Sequence, residues 1–300
     1  MPQNSSEMFI NMKEKDIPEY DSNKHFWEQA ESTIQFWEEE IRKIKNGVNV
    51  GGYHISPFLY WHINFFKIGL GEGQDKSVRN VDFRDNEFMF DYMNNKAIED
   101  GRKALLLYGS RRWSKSVIMS SFITHGMYTI ENCKGSIQGF SGSDLEQLRG
   151  YMSESVTSLN EALKVNVLRN NDKSFELGLK RTQQDEYEFA KLAILNLEAG
   201  SKMGSQKTAG GTPDISVFDE IGKGDILKAW GAALPSFEGG KNGKWRCRAI
   251  LSGTAGEGEL SKDAEEMLQQ PEAFNILLMD WDKLEERVSI EDITWKRRTF

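Results

Sequence analysis

Residues 103–128 read KALLLYGSRRWSKSVIMSSFITHGMY, and the succession of three textures in that stretch decides the fold class. An apolar run at 103–109 ends in glycine, a short basic and hydroxyl-rich turn follows, and an apolar helical stretch then runs from about 115 to 128. Strand, turn and helix in that order form a phosphate loop when the turn reads GxxxxGK[ST], because successive backbone amides and the helix N-terminus cradle phosphate charge. The segment GSRRWSKS, residues 109–116, meets this Walker A pattern except at its second glycine, where Ser114 stands. Gly109, Ser110, Arg111, Arg112, Trp113, Ser114, Lys115 and Ser116 therefore make up the candidate nucleotide-binding loop. Lys115 is expected to reach the β and γ phosphates as a point charge, and Ser116 to offer its hydroxyl to Mg²⁺. A serine at position 114 bears a higher cost than glycine in the left-handed backbone region that such a turn uses.

Outward from this stretch, short β-prone runs alternate with helical ones. Strands are expected at 136–140, 174–180, 190–197, 214–220, 246–253 and 273–279, and helices at 143–163 and 226–234, the pattern of a parallel α/β sheet. The apolar run Ile215–Phe218 ends in Asp219-Glu220. A phosphoryl-transfer site needs one carboxylate on the metal and a second group to orient or deprotonate the attacking water, so Asp219 reads as the metal carboxylate and Glu220 as the base. One strand later, AILSGTAG at 249–256 puts Ser252, Gly253 and Thr254 at a strand end. There the hydroxyls are candidates to sense the γ phosphate and couple hydrolysis to movement. The tract AGSKMGSQKTAGGTP at 199–213 has the Gly, Ser and Lys content of a mobile loop.

Upstream the grammar is helical. The first 24 residues are polar and read as a flexible N-terminus. Ile34, Trp37, Ile41 and Ile44 then recur at steps of three and four, predicting an amphipathic helix over 25–45 that Asn46-Gly47 stops. Residues 51–70 read as a turn and a buried aromatic helix, 71–80 as a flexible tract, and 82–94 as a second amphipathic helix.

The 300-residue chain is 38% hydrophobic and 28% charged with 6 prolines, a globular composition rather than that of a disordered chain. Its 38 Lys+Arg against 46 Asp+Glu leave a net charge of −8, so no global basic field draws in nucleic acid and any such contact must be local. Lys241, Lys244, Arg246 and Arg248 around Trp245, and Lys202 and Lys207, are the local candidates. Cys133 and Cys247 are too few for a disulfide framework, and the four histidines have no metal-ligand spacing. No apolar run approaches the roughly 18 residues of a membrane span, so no membrane partner is expected.

The Arg-containing GSRRWSKS, the acid-terminated ISVFDE and the SGT strand end, together with the aromatic PFLYWHINFFKI and the later FRDNEFMFDYM, resemble the large terminase subunits that package DNA in tailed bacteriophages and herpesviruses. The resemblance runs from about Tyr53 to Met279. It implies a RecA-like (ASCE) P-loop NTPase fold, α/β with a mostly parallel central sheet flanked by helices, over 101–285. A helical N-terminal lid subdomain is implied over 25–100, and 286–300 would begin a linker towards a nuclease domain. The implied activity is hydrolysis of ATP with Mg²⁺ to drive double-stranded DNA into a procapsid. Lys115 and Ser116 match the family's phosphate and metal contacts, Asp219 its metal carboxylate and Glu220 its base. Arg111 or Arg112 matches the arginine that neutralises phosphate charge, a role suited to a planar fork of donors. Arg84, Asp85 and Asn86 fall where the family contacts adenine. Implied partners are the portal protein, the small terminase subunit and further copies in a ring, a pentamer in the assembled motor, with Arg149, Arg169 and Arg181 available as an arginine acting on a neighbour. The implied location is the host cytoplasm and, transiently, the portal vertex, not the mature virion. Two departures stand out: Ser114 in the loop, and a chain that ends at Phe300 with no room for the family's ribonuclease H-like nuclease, as in a fragment or a short relative. The rival readings are a helicase-like DNA-dependent ATPase and a non-catalytic α/β binding module with a degenerate loop.

Overall fold

The computed structural model describes residues 17–50, 53–70, 77–81, 85–109, 114–179, 188–196, 212–237, 247–254 and 261–280. The N-terminal third contributes α1 (Glu31–Asn46), β1 (Val48–Val50), β2 (Tyr53–Ile55), α2 (Pro57–Asn64), β3 (Lys67–Leu70), β4 (Ser77–Asn80) and α3 (Asp85–Glu99). There follow β5 (Ala104–Gly109), α4 (Lys115–Thr129), β6 (Lys134–Gly139), α5 (Gly142–Thr157), β7 (Asn166–Asn170), β8 (Ser174–Leu179) and β9 (Glu188–Asn196). The last elements are β10 (Ile215–Asp219), α6 (Ile226–Phe237), β11 (Arg248–Thr254), α7 (Lys262–Gln269) and β12 (Ile276–Asp280).

One eight-stranded sheet runs in the order β12-β5-β11-β10-β6-β9-β8-β7. The first six strands are parallel, β8 is antiparallel to β9, and β7 is antiparallel to β8 at the edge. Among β12, β5, β11, β10 and β6, leaving β9 aside, the chain order is fifth, first, fourth, third and second. Strand β11 is thus inserted between the strand that leads into the candidate phosphate loop and the strand that ends in Asp219. This arrangement fits a RecA-like α/β fold.

Both faces of the parallel region are covered, which is why β5 and β10 read as continuous apolar runs rather than alternating ones. Leu105, Leu107, Ile137, Val217 and Ile250 point into a core shared with α4 and α5. Leu106, Phe218 and Leu251, one residue out of phase, point into a second core with α6 and α7. The first core does not stop at α5. Trp37, Ile44, Phe58, Trp61 and Phe90 from α1, α2 and α3 join it, and the Phe58 ring stands edge-on to Phe90 at 5.2 Å and to Phe122 of α4 at 5.6 Å. The aromatic segment quoted above is thus the packing that seats the N-terminal helices on the helix of the phosphate loop.

Several elements depart from the sequence expectations. Residues 77–80 of the tract read as flexible form β4, paired antiparallel with β3. The helix expected to reach 163 stops at Thr157, because the Asn160 side chain accepts from the Ala162 amide at 3.1 Å and caps a separate 3-10 turn, Glu161–Leu163. The helix expected over 82–94 runs Asp85–Glu99. Strand β7 and helix α7 were not anticipated. Residues 1–16, nearly all of the 199–213 tract and the end of the chain from 281 lie outside the described residues. No helix among the described residues is long and apolar enough to cross a membrane.

Candidate functional site

Strand β5 delivers the chain to Gly109 at the C-terminal edge of the sheet, and α4 leaves from Ser114 at the same edge. Ser114 holds φ 61° and ψ 16°, the left-handed conformation that the second glycine of a phosphate loop supplies. The serine takes up this geometry and α4 begins directly after it. Lys115, the first residue of α4, is buried, and its Nζ donates to the Gly109 carbonyl at 3.0 Å. This hydrogen bond closes the base of the loop and keeps the ammonium at the head of the helix. Ser116 follows in the first turn, half-buried. Ser110, Arg111, Arg112 and Trp113, the loop's crown, lie outside the described residues, as does Arg84. Asn86 lies in the first turn of α3, whose C-terminal end turns through residues 100–103 into the start of β5.

The acidic pair arrives two strands away. In register, Asp219 of β10 lies opposite Gly139 of β6, and Thr254 of β11 lies opposite Gly109 of β5. Asp219, Ser252 and Thr254 each share the strand face of Val217 and Ile250, the face that α4 packs against. Ser252 Oγ donates to Asp219 Oδ1 at 2.6 Å, and the Glu220 amide donates to the same oxygen at 3.0 Å. Thr254 Oγ1 donates to Glu220 Oε1, also at 2.6 Å. Each carboxylate is thus held through one oxygen by a hydroxyl from β11.

Gly253, between the two hydroxyl residues, points to the opposite face. A Cβ there would stand 3.3 Å from both Ile221 Cγ1 and the Tyr108 ring, so the position is kept small by the turn that follows Glu220. Glu220 itself holds φ 50° and ψ 51°. For a glutamate this left-handed backbone costs about 1–2 kcal/mol, and such outliers persist where the surroundings over-determine them.

Burial pushes the Asp219 carboxyl up to about 6, and the neighbouring Glu220 and Asp144 charges add to the shift, against the Ser252 hydrogen bond. A carboxylate that is buried and raised in this way is stabilised by a cation placed against it. Among the described residues no three His, Cys, Asp or Glu side chains converge as a cation cage. Mg²⁺ needs none: it is commonly held by one or two carboxylates with the remaining positions left to water and substrate phosphate. The donor set of Asp219 and Ser116 therefore fits Mg²⁺, and the buried Lys115 with the α4 N-terminus fits a phosphate chain.

Lys115, Ser116, Asp219, Glu220, Ser252 and Thr254 are all brought to one edge of the sheet. Of the arginines considered for action on a neighbouring copy, Arg149 lies on α5 and Arg169 on the edge strand β7, where it faces Glu176 at 3.6 Å. Arg181 lies outside the described residues. The motif reading did not include Asp144 in the first turn of α5 or Lys223 just after Glu220, whose side chains meet at 2.6 Å. Only the strand order, which puts β6 next to β10, brings them together.

No family model matches the chain, and no curated protein matches it in sequence. Among solved structures it is similar to the large terminase of a thermophilic bacteriophage, with 15% identity and a TM-score of 0.49 over 73% of this chain and 50% of that one. The same phage protein in complex with ATP-γ-S matches with a TM-score of 0.40, 15% identity and coverage of 69% and 48%. The large terminase ATPase domain of Thermus phage P74-26 matches at 15% identity and a TM-score of 0.47, over 69% of this chain and 86% of that domain. The HK97 bacteriophage large terminase matches at 12% identity and a TM-score of 0.46, over 68% and 40%. The chain thus spans about half the length of the thermophilic phage's terminase. In fold, it is similar to phage large terminases and to a terminase ATPase domain.

Proposed function

We propose that the chain is a Mg²⁺-dependent ATPase, the motor part of a DNA-packaging terminase that drives double-stranded DNA into a procapsid. The observation that carries the ATPase reading is the arrangement at one sheet edge of Lys115 on Gly109, Asp219 on Ser252, and Glu220 on Thr254. The DNA-packaging part rests on the resemblance of the three motifs to large terminase subunits. With it come the proposals of a portal protein and a small subunit as partners, a homo-oligomeric ring, and work in the host cytoplasm at the portal vertex. The nuclease of the whole protein is not part of what this chain is proposed to do.

Asp219 and Ser116 would hold the metal, which when bound supplies charge neutralisation between the β and γ phosphates. Lys115 binds the phosphate chain as a fixed positive charge at the helix N-terminus. Glu220 orients the attacking water and takes its proton on Oε2 while Oε1 stays with Thr254. Ser252 keeps Asp219 turned towards the α4 face, and Thr254 fixes the reach of Glu220, so both act by positioning. Because these hydroxyls end the strand paired with β5, a change at the γ phosphate is felt by β11 through the groups that hold the two acids.

A titration with ATP and Mg²⁺ tests the site. Saturable binding is expected for the wild-type chain, and Lys115→Ala is expected to weaken it at least about tenfold, the loss of a charge-assisted phosphate contact. Absence of saturable binding to the wild type, or unchanged affinity in Lys115→Ala, would make the degenerate binding module the better reading.

A further inference from the structure

Glu220 is followed at once by a 3-10 turn, Ile221–Lys223, and the position of that turn sets where the glutamate points. The Lys223 amide donates to the Glu220 carbonyl at 3.0 Å, which ties the turn to the glutamate's own backbone. One side of the turn is bolted to the start of α7: the Ser261 amide donates to the Gly222 carbonyl at 3.1 Å, and Ser261 Oγ to the Gly224 carbonyl at 2.8 Å. Ile221 is fully buried beside Gly253. Gly224 lies flat against the Phe140 ring, where a Cβ would fall 2.1 Å from Cδ1. The remaining side is held by charge. Lys223 Nζ donates to Asp144 Oδ2 at 2.6 Å, and Asp144 belongs to the first turn of the helix that leaves β6 beside β10.

We propose that Asp144 and Lys223 form a clamp that holds the turn after Glu220, making Asp144 a positioning residue for hydrolysis; this rests on Glu220 being the base. Two features favour a positioning role over a simple surface ion pair. A half-exposed pair adds little to stability by itself, and Lys223 is 48% exposed. Its position is nonetheless fixed three residues from a glutamate in a left-handed conformation, where any movement of the turn re-aims the carboxylate. The clamp therefore links the first turn of α5 to the turn after Glu220 through one ion pair.

The test compares Lys223→Met, Asp144→Asn and the swapped pair Asp144→Lys/Lys223→Asp with the wild type, with Lys223→Arg as a conservative control. Loss of the clamp is expected to slow ATP turnover about tenfold with ATP affinity within about twofold, as misplacement of a catalytic group does. In the nucleotide-free protein the amides of residues 221–224 are expected to exchange about tenfold faster. Lys223→Arg, and the swap if it folds, should restore both readouts. Unchanged exchange in the single variants, or raised exchange with unchanged turnover, overturns the clamp, as does a parallel loss of affinity and turnover. A wild-type chain without ATP turnover would instead count against Glu220 as base, and exchange would still read the clamp, since it needs no nucleotide.

Discussion

Ser114 and His62 each carry a conformational or solvation cost large enough to measure. Ser114 occupies a left-handed backbone position that costs a non-glycine residue about 1–2 kcal/mol. Glycine relieves that cost but gives back about 0.5–1 kcal/mol through the unfolded chain. Ser114→Gly is therefore expected to raise stability by about 0.5–1 kcal/mol, read as a higher denaturant midpoint at unchanged slope, without weakening ATP binding. His62 is fully buried between Phe58 and Phe66, and neither ring nitrogen has a hydrogen-bond partner among the described residues. Burial holds its pKa down to about 3, against 6.5 for a free imidazole. Between those values the unfolded chain binds a proton that the folded chain refuses, so stability is lost as pH falls below 6.5. Removing the imidazole with His62→Phe is expected to favour the folded state by about 2 kcal/mol more at pH 5 than at pH 8. Denaturant midpoints at the two pH values check this. Asp91, which burial raises to about 6, acts in the opposite direction, and it cancels from the comparison because both proteins carry it.

Among the elements, α1 ends at Gly47 with φ 74°, and a Cβ there would meet the Ile55 carbonyl oxygen at 2.3 Å. Gly47→Ala combines positive φ with a backbone clash, and a loss of about 1–3 kcal/mol is expected in thermal or denaturant unfolding. The Asn46-Gly47 stop is visible in the sequence because it rests on one local requirement. The same holds for β5, β10 and β11, each an apolar run ending in residues with their own chemistry, whereas their order in the sheet is seen only in the structure. Strand β7 was not legible. NVLRN is mostly exposed and is held by pairing with β8 and by the Asn170 bond to Ser153 of α5, so neither apolar period nor burial marks it. The end of α5 depended on a side-chain cap at Asn160 that competes with helix continuation. Helix α7 did carry a signal in its Ser261 cap and the Ala264–Met267 spacing, but its eight residues are brief for a periodicity argument. The site divides in the same way. Lys115, Asp219, Glu220, Ser252 and Thr254 stand in recognisable strings, whereas Asp144 and Lys223 meet only because β6 is the neighbour of β10.

At the scale of the whole molecule, α1, α2 and α3 share their core with α4 rather than enclosing one of their own. A fragment beginning at residue 101 would expose Phe122 and Tyr128, which pack against Phe58, Phe90 and Trp61, and it is expected to be insoluble or to lack a cooperative transition in thermal unfolding. The net charge of −8 supplies no global attraction for nucleic acid, so under the proposed function any contact with DNA is local. Under the proposed function the same sheet edge binds nucleotide and turns it over, and Glu220→Gln separates the two most directly. With the carboxylate replaced by its neutral isostere, ATP affinity in the presence of Mg²⁺ is expected to stay within about threefold of wild type while turnover falls at least about 100-fold, the usual contribution of a general base. Turnover near the wild-type rate in Glu220→Gln would contradict the assignment of this edge as the hydrolytic site.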